Sequence, residues 1–433
     1  MDLKDYQNIY FLGIKGAGMT AMAQMLKKIG KNVWGSDIPE TFFTDEVLAK
    51  DGIKVLSPFA AGNITDDIDL IIYSTAYNEK NEEFKFAKEK GMTMLSYPQS
   101  LGLLFKDHYG IAVCGAHGKT TTTAMLGYVL QELGQDPLVI VGSAVDQLGG
   151  NARFGQGKYL VVEADEYQNK LQYYSPKAVI LTSADFDHPD FFADQNAYNQ
   201  VFKDFVARIP VDGLLIAFVD DANVAEIIRQ AKCRVIEYHK NQKGLPTINL
   251  QLSGEHNIWN ATAILLLLKE LGLDIDKAAE VLSQFKGTKR RFEFLGEKDG
   301  ILVYDDFAHH PVEIQKLLKA ARTKFPGKKI WAVFQAHTYT RTKALLKEFG
   351  ESFTDADEVI VLDIFGSARE EHGGVTTKQL VDEIDKNSHN ASYRGTIDDV
   401  TKYLRQNAKT GDVIMTIGAG ENWQVGVNFL ENI

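Results

Sequence analysis

Cysteine is nearly missing from this chain: Cys114 and Cys233 are the two in 433 residues. Two thiols cannot build a disulfide framework or a four-cysteine zinc site, so the expectation is a reducing, cytoplasmic setting. The opening residues, MDLKDYQNIYF, have no basic-then-apolar leader pattern. No apolar run approaches the ~20 residues of a membrane span; the longest lies near Ala263–Leu268. Basic residues are outnumbered, 47 Lys+Arg against 58 Asp+Glu for a net charge of −11, which speaks against a nucleic-acid partner. There is no internal repeat, no low-complexity tract and no Pro- or Ser-rich linker, so the domains are expected to touch closely. What remains is 45% hydrophobic and 24% charged, the balance of a soluble globular chain. Its length suits about three domains at roughly 150 residues each. Oligomeric state leaves no mark in the sequence.

Three apolar strands each run into a distinctive loop and then a helical pattern. Asn8–Leu12 leads to Gly13-Ile-Lys-Gly16-Ala-Gly18-Met19, Ile111–Cys114 to Gly115-Ala-His-Gly118-Lys119-Thr120, and Ile301–Asp305 to Asp306-Phe-Ala-His309-His310-Pro311. Strands alternating with helices predict α/β domains with parallel sheets. Further strands are expected at Asn32–Trp34, Leu70–Tyr73, Tyr159–Glu163, Ala178–Leu181, Ile330–Phe334, Glu358–Leu362 and Val413–Ile417. Helices are expected at Met19–Ile29 and from near Asn260, the second apolar almost all round and so buried. The divisions fall at 1–108, 109–294 and 295–433.

The second loop carries the most chemistry. In Gly115-x-x-Gly118-Lys119-Thr120-Thr121 the glycines let backbone N–H groups, with that of His117, curl around phosphate oxygens at a helix N-terminus. Lys119 is placed to neutralise β- and γ-phosphates and the Thr120 hydroxyl to ligate Mg²⁺. Only two residues separate the glycines, so this is a shortened phosphate loop. Glu163-Ala-Asp165-Glu166 ends a strand with three acids, which can reach a ligand crevice and share a Mg²⁺ ion with phosphate and water. His188, with Asp187 as an orienting neighbour, is a further metal candidate. Asn257 and Asn260 read from spacing as helix N-caps, with an adenine edge as the alternative. Arg291, in Lys289-Arg-Arg-Phe-Glu293, could reach a γ-phosphate. In the first loop Gly13-x-x-Gly16-x-Gly18 permits close approach to a diphosphate, and Asp37, about twenty residues on, suits a ribose or base. A dehydrogenase would order these glycines differently, which argues against NAD. Arg341 and the histidines His309 and His337 could take a carboxylate-bearing small substrate. No helical His-x-x-x-His pair supports structural zinc.

Taken in order, GIKGAGM, GSD, CGAHGKTTTT, EADE, DFDHPD, GEHNIWNA, KRRFE, DDFAHHP and FQAHTYTRT resemble the Mur ligase family over essentially the whole chain. The family builds the peptide stem of bacterial cell-wall precursors. The resemblance implies an N-terminal Rossmann-like domain, a central P-loop ATPase-type domain with a mainly parallel sheet, and a C-terminal Rossmann-like domain. It implies ATP-dependent joining of L-alanine to the lactyl carboxylate of UDP-N-acetylmuramate through an acyl phosphate, with Mg²⁺. Gly13, Lys15, Gly16, Gly18, Met19, Asp37 and Ser74 would lie along the UDP-sugar. Gly115, His117, Gly118, Lys119, Thr120, Thr121, His256, Asn257, Asn260, Arg291 and Asp306 would hold ATP. Thr120 would reach Mg²⁺, Glu163 would bind a first metal ion and His188 a second, and Phe307, His309, His337 and Arg341 would receive the amino acid. Lys119, His188, Arg291, Asp306 and His309 would carry catalysis, His309 either as a base or as a binding residue. Lys15, Ala116 and Ser183 depart from the family pattern, as do Phe307, where tyrosine is usual, and Thr338, where arginine is common. These last two leave open a relative that adds a whole tripeptide; a non-catalytic, nucleotide-gated binding module is the remaining alternative.

Overall fold

The computed structural model describes residues 2–40, 42–188, 191–252, 254–366 and 373–431. Three sheets follow one another along the chain. The first orders its five strands β3-β2-β1-β4-β5, all parallel: β1 Asn8–Leu12, β2 Asn32–Ser36, β3 Lys54–Leu56, β4 Leu70–Tyr73 and β5 Met94–Ser96. The second is β12-β11-β10-β6-β9-β7-β8, built from β6 Tyr109–Cys114, β7 Leu138–Val145, β8 Gly150–Phe154, β9 Tyr159–Glu163, β10 Ala178–Leu181, β11 Leu214–Phe218 and β12 Arg234–Tyr238. It is parallel except for the edge strand β8. The third is β13-β14-β18-β15-β16-β17, from β13 Glu293–Lys298, β14 Ile301–Asp306, β15 Ile330–Phe334, β16 Glu358–Leu362, β17 Ala391–Gly395 and β18 Val413–Ile417. Here the β13–β14 hairpin is antiparallel and the rest parallel. The α/β class and the mainly parallel sheets agree with the expectation.

The central strands are those with unbroken apolar runs. β6, β10 and β11 are buried almost throughout, as strands covered by helices on both faces must be. The helix Lys119–Glu132 follows β6, and most of its residues are buried. Against it lies the helix Glu255–Glu270, whose Ala261–Leu265 and Leu267–Leu268 are buried. One apolar cluster runs from Ile9 and Phe11 of the first sheet, and Met22 of the helix Ala17–Lys28, to Ala112, Leu160 and Leu181 of the second sheet, which is how two domains without a polar linker hold together. The polar strand ends of all three sheets are left to line clefts, the position where open α/β sheets bind ligands.

Candidate active site

The phosphate loop joins β6 to the helix Lys119–Glu132. Gly115 and Gly118 have φ of 132° and 80°, a region costly for other residues. A Cβ on Gly115 would lie 2.4 Å from Thr182 Oγ1, and one on Gly118 2.9 Å from Asn260 Oδ1. The end of β10 pins the loop from beside it. The N–H of Ala116 donates to the Ser183 carbonyl (3.0 Å), and that of His117 to Ser183 Oγ (2.9 Å). Ser183, a departure noted in the sequence, is thus a direct support of the loop.

Behind the loop sit the acids. Lys119 Nζ donates to Glu166 Oε2 (3.0 Å), and Glu166 Oε1 accepts from the buried Tyr198 hydroxyl (2.7 Å). Burial pushes the Lys119 ammonium down, but the carboxylates of Glu166 and Asp165 outweigh it and hold the pKa above the usual value. Thr120 Oγ1 donates to Glu163 Oε1 (2.8 Å), and the other Glu163 oxygen accepts the Gly142 N–H (2.7 Å). One ligand atom from each of Asp165, Glu166 and His188 lies within 4.8 Å of the others. Hard carboxylate oxygens and an imidazole in this grouping fit a divalent cation that also binds phosphate and water. Pro189 and Asp190, the end of the His188 motif, lie outside the described residues.

A cavity of about 550 Å³ opens between the central and C-terminal sheets, with His117, Thr121, Asn260, Arg291, Asp306 and Lys316 on its wall. Phe218 and Trp259 stack at its inner end (centroids 5.3 Å apart). Asn257 and Asn260 are buried there. The N-cap reading of these two is corrected: the helix starts at Glu255 and its N-cap is Gly254, with φ 99°. A glycine already turns the chain into the helix, so both asparagines sit inside it, one turn apart on the same face. Asn260 lines the cavity, and its Nδ2 is buried without a hydrogen-bond partner. His256 also lines it and is pushed down to about 4, by burial first and then by Lys316 and His117.

The C-terminal wall sorts the two arginines. Arg290 Nε donates to Asp305 (2.9 Å) and its other nitrogens to the Gly418 and Gly420 carbonyls, so it braces the domain. Arg291 is left to face the cavity, its guanidinium over the Phe307 ring at 5.5 Å. Asp306 accepts from the N–H groups of Phe292 (2.6 Å) and Ala308 (2.7 Å). Burial still lifts its carboxyl to about 6, against the pull of Arg291. Beyond it, His309 Nδ1 lies 3.0 Å from the Phe307 carbonyl. That contact sets the tautomer, Nδ1–H donating, and leaves Nε2 as an acceptor. The His309 and His337 rings are 6.2 Å apart, and His337 stacks on Phe365. Arg341, 5% exposed, donates from Nη2 to Asp187 Oδ1 (3.0 Å), the oxygen that also accepts the His188 N–H (2.6 Å). Burial would raise the Asp187 carboxyl, but Arg341 and His188 hold it well below the usual range. The candidate metal and amino-acid residues are therefore joined through one carboxylate.

Three family models match this chain: "Mur ligase family, catalytic domain" over 8–109, "Mur ligase middle domain" over 113–247 and "Mur ligase, glutamate ligase domain" over 290–420. A UDP-N-acetylmuramate–L-alanine ligase from Desulfitobacterium hafniense is 41% identical over 97% of this chain and 98% of its own length. One from Caldanaerobacter subterraneus is 38% identical, covering 100% and 99%. The chain belongs to the Mur ligase family. Among solved structures, a UDP-N-acetylmuramate–alanine ligase from Thermotoga maritima superposes with a TM-score of 0.84 at 28% identity, covering 98% of each chain. An ATP-dependent ligase is what this membership makes of the phosphate loop and its cavity.

The first domain of the Mur ligase holds its own loop cluster, at the ends of β1, β2 and β4 and off the 550 Å³ cavity. Gly13, at φ 85°, admits no Cβ, which would lie 2.5 Å from the Tyr77 ring. Gly16 caps the helix Ala17–Lys28 and Met19 is buried in it. Ser74 accepts the Ala76 N–H at 3.3 Å. Asp37 Oδ2 accepts the Lys15 N–H (2.7 Å), and Oδ1 accepts from Ile38 N and Tyr77 Oη. The Lys15 ammonium is tied to the Ile38 and Glu40 carbonyls and to Asp45 (3.0 Å). These two side chains shape the loop. The sequence reading passed over Asp185, Tyr198 and Glu313. Their signal was faint: a tyrosine in a helix and a glutamate three residues past a histidine cap look like packing and capping.

Proposed function

We propose that this Mur ligase joins L-alanine to the lactyl carboxylate of UDP-N-acetylmuramate, consuming ATP, in the synthesis of peptidoglycan precursors in the cytoplasm. The observation that carries the reading is the convergence of Thr120, Asn260, Arg291 and Asp306 around one cavity, together with the Arg341–Asp187 pair that ties the C-terminal domain to the central one. Among the described residues no helix is long and apolar enough to cross a membrane, and both cysteines are free thiols; both facts suit a cytoplasmic enzyme.

A carboxylate is a poor acyl donor to an amine, and phosphorylation gives it a leaving group. The lactyl oxygen attacks the γ-phosphorus of ATP and the bond to ADP breaks. The alanine ammonium loses a proton to solvent, the neutral amine attacks the acyl carbon, the C–O bond breaks, phosphate leaves and the second N–H proton passes to solvent. Lys119 would exchange Glu166 for the β- and γ-phosphates, and Arg291 would add charge against the moving group. Thr120, Glu163 and His188, with Asp165 and Glu166, would hold Mg²⁺, which supplies positive charge to the phosphates when bound. Asn257, Asn260 and His256 would take the adenine edge, and Asp306 would fix the boundary loop through the Phe292 N–H. Gly13, Gly16, Gly18, Met19 and Ser74 would border the UDP-sugar. Arg341 would receive the alanine carboxylate together with His337, Phe307 closing the pocket beside them.

His309 is pushed down to about 4 by burial, with Glu313 pulling the other way. Such an imidazole is neutral at pH 7 and too weak a base to strip an ammonium. Its Nε2 instead accepts a hydrogen bond from the ammonium and orients it, a task that a cationic ring would oppose by repulsion. The experiment is hydroxylamine trapping: with ATP and UDP-N-acetylmuramate the enzyme should yield the sugar-linked hydroxamate. Its absence, with no carboxylate oxygen passing into inorganic phosphate, would overturn the acyl-phosphate route.

A further inference from the structure

Glu313 lies in the first turn of the helix Pro311–Lys324, where it closes a capping box with His310. Its Oε2 accepts the backbone N–H groups of His309 (3.1 Å) and His310 (3.3 Å), and lies 3.6 Å from His309 Nδ1. Its Oε1 points the other way, across the cavity, to 3.3 Å from Nδ1 of His117 in the phosphate loop. The opposite ring nitrogen, Nε2, faces Asp185 Oδ2, also at 3.3 Å. An imidazole with a carboxylate near each nitrogen favours the imidazolium; its Nδ1–H donates to Glu313, while Nε2 is buried beside Asp185 without a hydrogen bond. The backbone of His117 is fixed on its own domain, its N–H to Ser183 and its carbonyl to Thr182. Capping needs only Oε2; the reach of Oε1 to another domain's loop does nothing for the helix.

We propose that Glu313 is a positioning residue that couples the phosphate loop to the acceptor-amine site, one oxygen holding His117 and the other setting the backbone and ring of His309. The inference rests on the ligase reading above. It follows that the seat of the ATP phosphates and the atom that receives the alanine ammonium share one link across the domain gap. A shift of either element then displaces the other, and misplacement of about 1 Å is enough to cost a large part of the rate.

The test is steady-state kinetics on the full chain, its Glu313→Gln and His117→Gln variants, and the double variant. Glutamine keeps a carbonyl oxygen for the His309 and His310 N–H groups, so the cap persists while the ionic link goes. The unaltered chain should release ADP only when UDP-N-acetylmuramate and L-alanine are both present; if it does not, the ligase reading fails and the coupling is not at issue. Each single variant should lower kcat/KM for L-alanine by about 10- to 100-fold. His117→Gln should do so although the residue belongs to the nucleotide loop. The double variant should fall within about twofold of the worse single one, as for groups acting as a unit. Losses that multiply in the double variant would overturn the proposal, as would a His117→Gln enzyme altered in its KM for ATP alone, or a Glu313→Gln enzyme with unchanged kinetics. Should Glu313→Gln not fold, the KM for L-alanine of His117→Gln decides the matter by itself.

Discussion

Two histidines close to one carboxylate, His117 and His309, answer burial in opposite ways. Burial pushes both down, but Asp185 and Glu313 outweigh it at His117 and raise it to about 9, while His309 ends at about 4. Against the ordinary value of 6.5, the folded protein holds a proton on His117 more tightly than the unfolded chain does. That contribution to stability is complete below pH 6.5 and is lost as pH rises through 9. At His309 the unfolded chain is the better proton acceptor, so stability is lost as pH falls from 6.5 towards 4. Thermal unfolding across pH should therefore show His117→Gln flattening the alkaline decline and His309→Gln flattening the acid one. Equal slopes in the variants and the unaltered chain would contradict these charge states. Lys119, Thr120 and Glu163 were legible in the sequence because their chemistry is tied to a short stretch of chain. Asp185, Tyr198 and Glu313 were not, because their roles come from contacts between segments as much as 196 positions apart, such as His117 with Glu313.

Strands such as β1, β6, β10, β14, β15 and β18 announce themselves by apolar runs, because burial on both faces demands that composition. The edge strands β3, β5, β8, β12, β13 and β17 do not, since half-exposed or short strands carry a weaker pattern, and the interior strands β7 and β11 are not among those expected either. The helix Glu255–Glu270 was recognised by its apolar run but entered too late, because a positive-φ glycine replaced the polar cap that spacing suggested. Its contact with the phosphate loop yields a sharp expectation. Gly118→Ala forces a left-handed residue, at about 1–3 kcal/mol, and sets a methyl 2.9 Å from Asn260 Oδ1. The KM for ATP should rise about tenfold or more, since the loop must open away from the asparagine to fit. An unchanged KM would mean that the loop and this helix do not form one site.

The three sheets were legible as three α/β units, and their close apposition followed from the missing linkers. Which side chains cross between them was not legible. The Arg341–Asp187 pair, with both side chains under a tenth exposed, ties the central domain to the C-terminal one. Removing one member strands the other as a buried charge, at about 3–5 kcal/mol. Arg341→Ala should lower the unfolding temperature by several degrees, and the double change Arg341→Met with Asp187→Asn should recover part of it; no loss in Arg341→Ala would show the pair to be solvated. The enzyme's identity as an alanine-adding ligase is tested most directly by ADP release with UDP-N-acetylmuramate while the acceptor is varied. Release should be rapid with L-alanine, slow without any acceptor, and abolished in Lys119→Ala. Release driven by a tripeptide but not by L-alanine, or turnover that survives the loss of Lys119, would contradict it.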